Sequence, residues 1–294
     1  MRVAVKHRGD WGPDLAAWEG NVERCLLFGQ GVMEVARLGR GEPILMVGGL
    51  AGGWKLLAPL ARLLATRHEV ILYGLRGDRG PSNTSGPETI GDHARDLAFL
   101  IDRLGLERPA LLGVSFGGAV ALEYAVENPG RLGSLTLLGV EARYQESLGA
   151  RVARRVLERY PLPNDNPFVN QFFNLLHGGP PRSAASAEFL IERCWETDQG
   201  VMARRLQSLA SFDVVDRLDR VDARTLVVAG LKDVVVPPAR QRDLARAIPG
   251  ARFIGLPDAG HVGFLTHRSA VARIANRFLR TRSLVQSSRG FEEA

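Results

Sequence analysis

Pro109-Ala-Leu-Leu-Gly-Val-Ser-Phe-Gly-Gly118 is the stretch on which the reading of the fold turns. Its first half, PALLGV, is a short apolar run of the kind that forms a strand buried on both faces. The continuation at 116–127 reads as a helix that stops before Pro129. With only Ser115 at the junction, the chain must pass from strand to helix in a sharp turn that projects the serine hydroxyl above the sheet edge. Side chains two residues away on either side would collide with such a turn, and Gly113 and Gly117 carry none; Gly118 lets the helix approach closely. The start of the helix also aims free N–H groups at the serine, which favours negative charge there. In a chain with 33 glycines the pentapeptide G-x-S-x-G is weak by itself, and a tight βα turn with an idle serine has the same local sequence.

Outward from this junction the chain alternates apolar strand runs with helical patterns, the sign of a mainly parallel sheet covered on both faces. Residues 32–38 and 43–48 read as early strands, 55–66 as a helix with leucines at helical spacing, and 69–73 as a strand. Then come an amphipathic helix at 88–104 and a strand at 133–139. From 141 to 212 helical, Arg-rich and Phe-rich segments follow one another without a strand, punctuated by Pro161, Pro163, Pro167, Pro180 and Pro181. Strand character returns at 224–231 and 251–256, with helices at about 238–247 and 262–281. The simplest division is an α/β core over 22–140 and 213–282, a helical insertion at 141–212, an N-terminal extension at 1–21 and a frayed tail at 283–294.

A serine hydroxyl is a poor nucleophile at neutral pH and needs a neighbouring base, which in turn needs a group to fix its tautomer. In a parallel sheet such groups gather beyond the C-terminal ends of the strands. The strand TLVVAGL ends at Leu231 and is followed by Lys232 and Asp233; the strand at 251–256 runs into Pro257-Asp-Ala-Gly-His261. A carboxylate and an imidazole therefore each stand on a loop just past a late strand, in the chain order Ser, Asp, His. His267 falls inside the closing helix, and His7, His68, His93 and His177 have no matching strand-end position. Glu141 and Asp258 remain rivals to Asp233 for the acid.

With these residues in view the chain resembles the α/β-hydrolase fold superfamily over about residues 30–282, apart from the insertion. The resemblance rests on GVSFGG at 113–118, LVVAGLKDVVVPP at 226–238 and PDAGHVGFL at 257–265. It implies a triad of Ser115, Asp233 and His261, and an oxyanion hole made by the backbone N–H groups of Phe116 and Leu50, the latter in the loop Gly48–Trp54. It also implies that the insertion at 141–212 is a cap, whose Phe168, Phe172, Phe173, Leu175, Leu176, Phe189 and Trp195 either line an apolar acyl site or pack the cap itself. Two motifs depart from the family: Gly48-Gly49 stands where many relatives have His-Gly, and Gly74-Leu-Arg-Gly-Asp-Arg-Gly-Pro-Ser82 lacks the first acid of D-x-R-G-x-G-x-S. The activity implied is hydrolysis of a carboxylic ester or related acyl bond through an acyl-enzyme. Acyltransferase, perhydrolase, carbon–carbon hydrolase and non-catalytic ligand-binding relatives share the same residues.

Composition agrees with a folded, soluble chain: of 294 residues, 45% are hydrophobic and 24% charged. No apolar stretch is long enough to span a membrane, and the charged residues of the first 30 positions break up any leader-like core, so the expected location is the cytoplasm. Cys25 and Cys194 are far apart and form neither a disulfide framework nor a thiolate metal site. The formal charge of +6 is dispersed, with no basic run interleaved with aromatics, which argues against nucleic acid as partner. Arg151, Arg155 and Arg159 share a helical face that reads as solvated. The expected partner is a small molecule with an apolar acyl group, and the implied chemistry calls for no metal or cofactor.

Overall fold

Eight strands form one sheet in the order β1-β2-β4-β3-β5-β6-β7-β8. They are β1 (Val22–Leu27), β2 (Gly31–Leu38), β3 (Pro43–Val47), β4 (Glu69–Tyr73), β5 (Ala110–Val114), β6 (Ser134–Leu138), β7 (Arg224–Gly230) and β8 (Arg252–Leu256). Antiparallel pairing joins β1 to β2 and β2 to β4, and every other neighbouring pair is parallel. The computed structural model describes residues 18, 21–27, 31–78, 88–163, 166–181 and 183–289. The N-terminal extension thus falls almost wholly outside the described residues, as do 79–82 of the glycine-rich turn and 290–294 of the tail.

The inner parallel strands read as apolar runs because both faces are covered, whereas the edge strand β8 exposes Arg252 and Ile254. In β3, Leu45 and Val47 join one core, while Ile44 and Met46 join the other. The first core is shared with α2 (Ile90–Arg103), α3 (Phe116–Glu127) and α8 (Pro238–Ala247); the second is shared with α1 (Ala58–Leu64) and α10 (Arg268–Arg289). The central α3 buries residues all round, so the period that would mark an amphipathic helix is absent from it. Helix α2 shows its period plainly, starting at a capping box in which Thr89 and Asp92 satisfy each other's amides.

Several boundaries differ from the sequence reading for local reasons. The helix expected at 55–66 is a 3₁₀ turn, Trp54–Leu57, followed by α1. Pro59, which has no N–H to give a helix interior, sits in the first turn of α1 instead. Strand β1 has no counterpart among the strands expected from the sequence. The closing helix expected at 262–281 is broken at His267 into α9 (Gly263–Thr266) and α10, and α10 continues through Arg289, past the boundary set at 282. Between β6 and β7 lie α4 (Leu148–Arg159), α5 (Pro167–Leu175), α6 (Ala184–Cys194) and α7 (Gln199–Ala210). Helix α4 buries no residue, and Arg151, Arg155 and Arg159 are exposed on it.

The sheet order places the site. After β3 the chain adds β4 on one side and then returns to add β5 on the other, so β3 and β5 form the switch point where a crevice opens above the strand ends. Six consecutive strands of the sheet, β4, β3, β5, β6, β7 and β8, deliver their C-terminal loops to that same edge.

Candidate active site

Ser115 links β5 to α3 with φ 52° and ψ −119°, and among the described residues it is the only non-glycine at positive φ. An L-residue held there stores strain of about 1–3 kcal/mol, which the surroundings must impose. They do so on both sides. The Ser115 N–H donates to the Leu138 carbonyl at the end of β6 (2.8 Å), while the Ser115 carbonyl accepts from Gly118 and Ala119 in the helix. A methyl group added at Gly117 would lie 2.2 Å from the Gly48 carbonyl oxygen, and one at Gly113 would lie 2.6 Å from the Gly118 Cα. These two glycines are where the helix and strand ends touch backbone to backbone.

The Ser115 Oγ–H donates to His261 Nε2 at 2.9 Å, and on the other side of the ring Nδ1–H donates to Asp233 Oδ2, also at 2.9 Å. The three side chains are thus joined across 146 and 28 residues of sequence. The ring stands against Gly139 at the end of β6: a Cβ there would come within 2.9 Å of His261 Cε1, so only glycine leaves the imidazole its place. Asp233 is 5% exposed, yet all its acceptor sites are used. Oδ1 takes the amides of Val235 and Val236 at 2.9 Å each, and Oδ2 takes Gln241 Nε2 at 3.2 Å beside the imidazole. The rival acids are engaged elsewhere, Glu141 with Arg240 (2.8 Å) and Asp258 with Lys232 (3.1 Å).

Gln241, wholly buried on α8, is a site residue that the sequence reading did not identify. Its Nε2 also donates to the Val236 carbonyl (2.8 Å), and its Oε1 accepts from the Gly139 N–H (3.1 Å). One amide therefore ties the carboxylate, the loop that carries it and the glycine behind the imidazole.

On the other side of the serine runs the loop Gly48–Trp54. Gly49 passes beside Ser115, its added Cβ falling 3.8 Å from Ser115 Cβ. Phe116 is the first residue of α3, where amides have no acceptor within the helix. The aromatic residues expected over the site divide into two groups. Phe173 and Phe189 are buried in the core shared with α1, and Leu176 and Trp195 pack against it; Phe172 and Leu175 are about half exposed. The side chain of Phe168 lies outside those described. Cys194 is a free, buried thiol, pushed up to about 12 by burial, and so takes no part as a thiolate. Among the described residues no cluster of three or more His, Cys, Asp or Glu fits a metal ion, and no helix is long and apolar enough to cross a membrane.

A family model described as the alpha/beta hydrolase fold matches residues 42–268. RutD of Azorhizobium caulinodans, designated a carbamate hydrolase, is 32% identical over 231 residues, covering 76% of this chain and 85% of its own. Among solved structures, a thermophilic esterase from Thermogutta terrifontis superposes with a TM-score of 0.76 at 28% identity, covering 88% of this chain and 99% of that one. The enol-lactonase from Burkholderia xenovorans LB400 shares the fold with a TM-score of 0.76 at 22% identity, covering 88% and 100%.

Proposed function

This chain belongs to the alpha/beta hydrolase fold family, and from that premise we propose that it is a serine hydrolase that cleaves a carboxylic ester or related acyl bond through an acyl-enzyme. The observation that carries the reading is the unbroken hydrogen-bonded path from Ser115 Oγ through His261 to Asp233 at a strained strand-to-helix turn. In this scheme His261 Nε2 takes the hydroxyl proton as Ser115 Oγ attacks the carbonyl carbon. The N–H groups of Leu50 and Phe116 hold the oxyanion, and the imidazolium returns its proton to the leaving group. Water, with His261 again as base, then releases the acid and frees the serine. Asp233 keeps the imidazole in the tautomer with the proton on Nδ1 and balances its charge when protonated.

The designation of the Azorhizobium caulinodans relative supports a second reading, hydrolysis of a carbamate, in which the same attack falls on a carbonyl that also carries nitrogen. A panel of p-nitrophenyl esters, aryl carbamates, thioesters and lactones separates the two, with a fluorophosphonate probe as control. Ser115→Ala is expected to lower turnover of whichever compound is cleaved by at least about 10⁴-fold and to abolish labelling. Labelling or turnover that survives in Ser115→Ala rejects the assignment.

A further inference from the structure

The two sides of Ser115 are supported from different parts of the chain. The loop Gly48–Trp54 takes two of its hydrogen bonds from the segment between β6 and β7. The Gly52 N–H donates to Thr197 Oγ1 at 3.0 Å, and the Leu50 carbonyl accepts from Arg205 Nη1 at 2.8 Å. Thr197 lies just before α7 and Arg205 on it, and Arg205 has no exposed surface.

A guanidinium taken wholly out of water is costly unless it is paired and hydrogen-bonded, so its partners show what holds it there. The countercharge is Asp78, whose Oδ1 accepts from Nη2 at 2.7 Å; the same Nη2 donates to the Arg76 carbonyl at 3.0 Å. The guanidinium carbon stands 5.8 Å from the centroid of the Phe116 ring. Arg205 thus grips the loop after β3 by the carbonyl of Leu50, the loop after β4 by Arg76 and Asp78, and the first residue of α3 by its ring. We propose that Arg205 is a positioning residue of the oxyanion hole, seating both N–H donors, with Thr197 as its auxiliary on the same loop. The inference rests on the acyl-enzyme reading above and on Leu50 and Phe116 as the donors. Oxyanion donors act through preorganisation, so loss of the groups that fix them should reach the rate more than substrate affinity.

The measurement is the second-order rate at which a fluorophosphonate labels Ser115, alongside kcat and KM on the best ester or carbamate of the panel. In labelling, the Ser115 Oγ–P bond forms as P–F breaks, fluoride leaves and the hydroxyl proton passes to His261. Arg205→Ala is expected to lower both the labelling rate and kcat about 100-fold, with KM within about threefold of wild type, and Thr197→Val to lower them about threefold to tenfold. Millimolar guanidinium chloride should restore part of the Arg205→Ala loss, and sodium chloride at equal ionic strength none. Because the alanine variant removes the ion-pair partner of the partly buried Asp78, thermal melting accompanies it, and Arg205→Lys and Thr197→Val carry the same test if it does not fold. Unchanged kcat and labelling in folded variants, or a rise in KM alone, overturns the inference while leaving the acyl-enzyme reading intact. A wild-type Ser115 that the probe does not label rejects that reading, and the inference with it.

Discussion

The carboxylate end of the site and the loop Gly48–Trp54 solve the same problem, holding a polar group still, by different means. Asp233 is fixed from within the α/β core: its own loop supplies the Val235 and Val236 amides, and α8 supplies Gln241. The loop on the far side of Ser115 is tied at Leu50 and Gly52 to Arg205 and Thr197, which come from the segment between β6 and β7. What differs is the dependence on the segment between β6 and β7. Changes in the helices α4 to α7 should leave the acid in place and reach the reaction through the loop. His261 stands between the two regimes, since the next residue's amide, Val262 N–H, donates to the Leu176 carbonyl.

The hardest test of the core-built end is Asp233→Asn. The shape is kept, but an amide facing Nδ1 favours the tautomer with the proton on Nε2, which cannot accept from Ser115. A loss in kcat of about 10⁴-fold is expected, with a lower melting temperature because the new amide also faces the Gln241 Nε2 donor. Steady-state kinetics and a thermal melt on the same preparation check it. A rate near wild type would return Glu141 or Asp258 to consideration despite their pairing with Arg240 and Lys232.

A smaller effect is expected at Gln241. Gln241→Leu keeps the approximate volume but leaves the Gly139 amide and the Val236 carbonyl without their buried partner and takes one donor from Asp233. We expect kcat to fall about tenfold to 100-fold and the protein to lose about 1–3 kcal/mol of stability. A double-mutant cycle separates the two consequences. If Gln241 acts through the carboxylate, Gln241→Leu should cost kcat much less in the Asp233→Asn background than in the wild type, whereas a purely structural role would give additive losses.

The residues that were legible in the sequence are those under local constraint. Gly113, Ser115 and Gly117 lie within one turn, and Asp233 and His261 each follow a recognisable strand at a fixed edge of the sheet. The strand runs were legible because burial on both faces makes them continuously apolar. Gln241, Thr197 and Arg205 make contacts across 102, 145 and 155 residues, and no short pattern encodes a separation of that kind. A signal for two of them is present in hindsight. On α8 the buried stripe is Gln241, Leu244 and Ala245, and on α7 it includes Val201, Met202, Arg205 and Ser208, so a polar or charged residue occupies a core position in each. Arg205 is not legible because the chain is rich in arginine, and in sequence a buried arginine is indistinguishable from the exposed ones until the helix face is known. Strand β1 is not legible because Glu23 and Arg24 interrupt its apolar run, as suits a strand at the edge of the sheet.

The loop side also has an acid sensitivity of its own, the smallest of the effects expected here. His93 lies on α2 with no exposed surface, its ring edge-on to Phe116 at 5.0 Å between centroids. Burial holds its pKa well below the ordinary 6.5, and the cations of Arg205 and Arg76 add to the shift, with Asp92 opposing them; Glu88 approaches Nε2 at 3.7 Å. The folded chain therefore keeps this imidazole neutral while the unfolded chain takes up a proton near pH 6.5. Stability from this source is fully present above that pH and is lost as the pH falls through it, by at most about 1.4 kcal/mol per pH unit for one group. His68 and His177 are shifted in the same direction by burial and steepen the decline. His93→Phe, which keeps a ring against Phe116 and removes the titrating group, should flatten the fall in melting temperature between pH 7 and pH 5 without altering the plateau above pH 7.5. An unchanged slope in His93→Phe would mean that the imidazole behind Phe116 is reached by protons in the folded state, and that the loop side is less dry than its buried arginine requires.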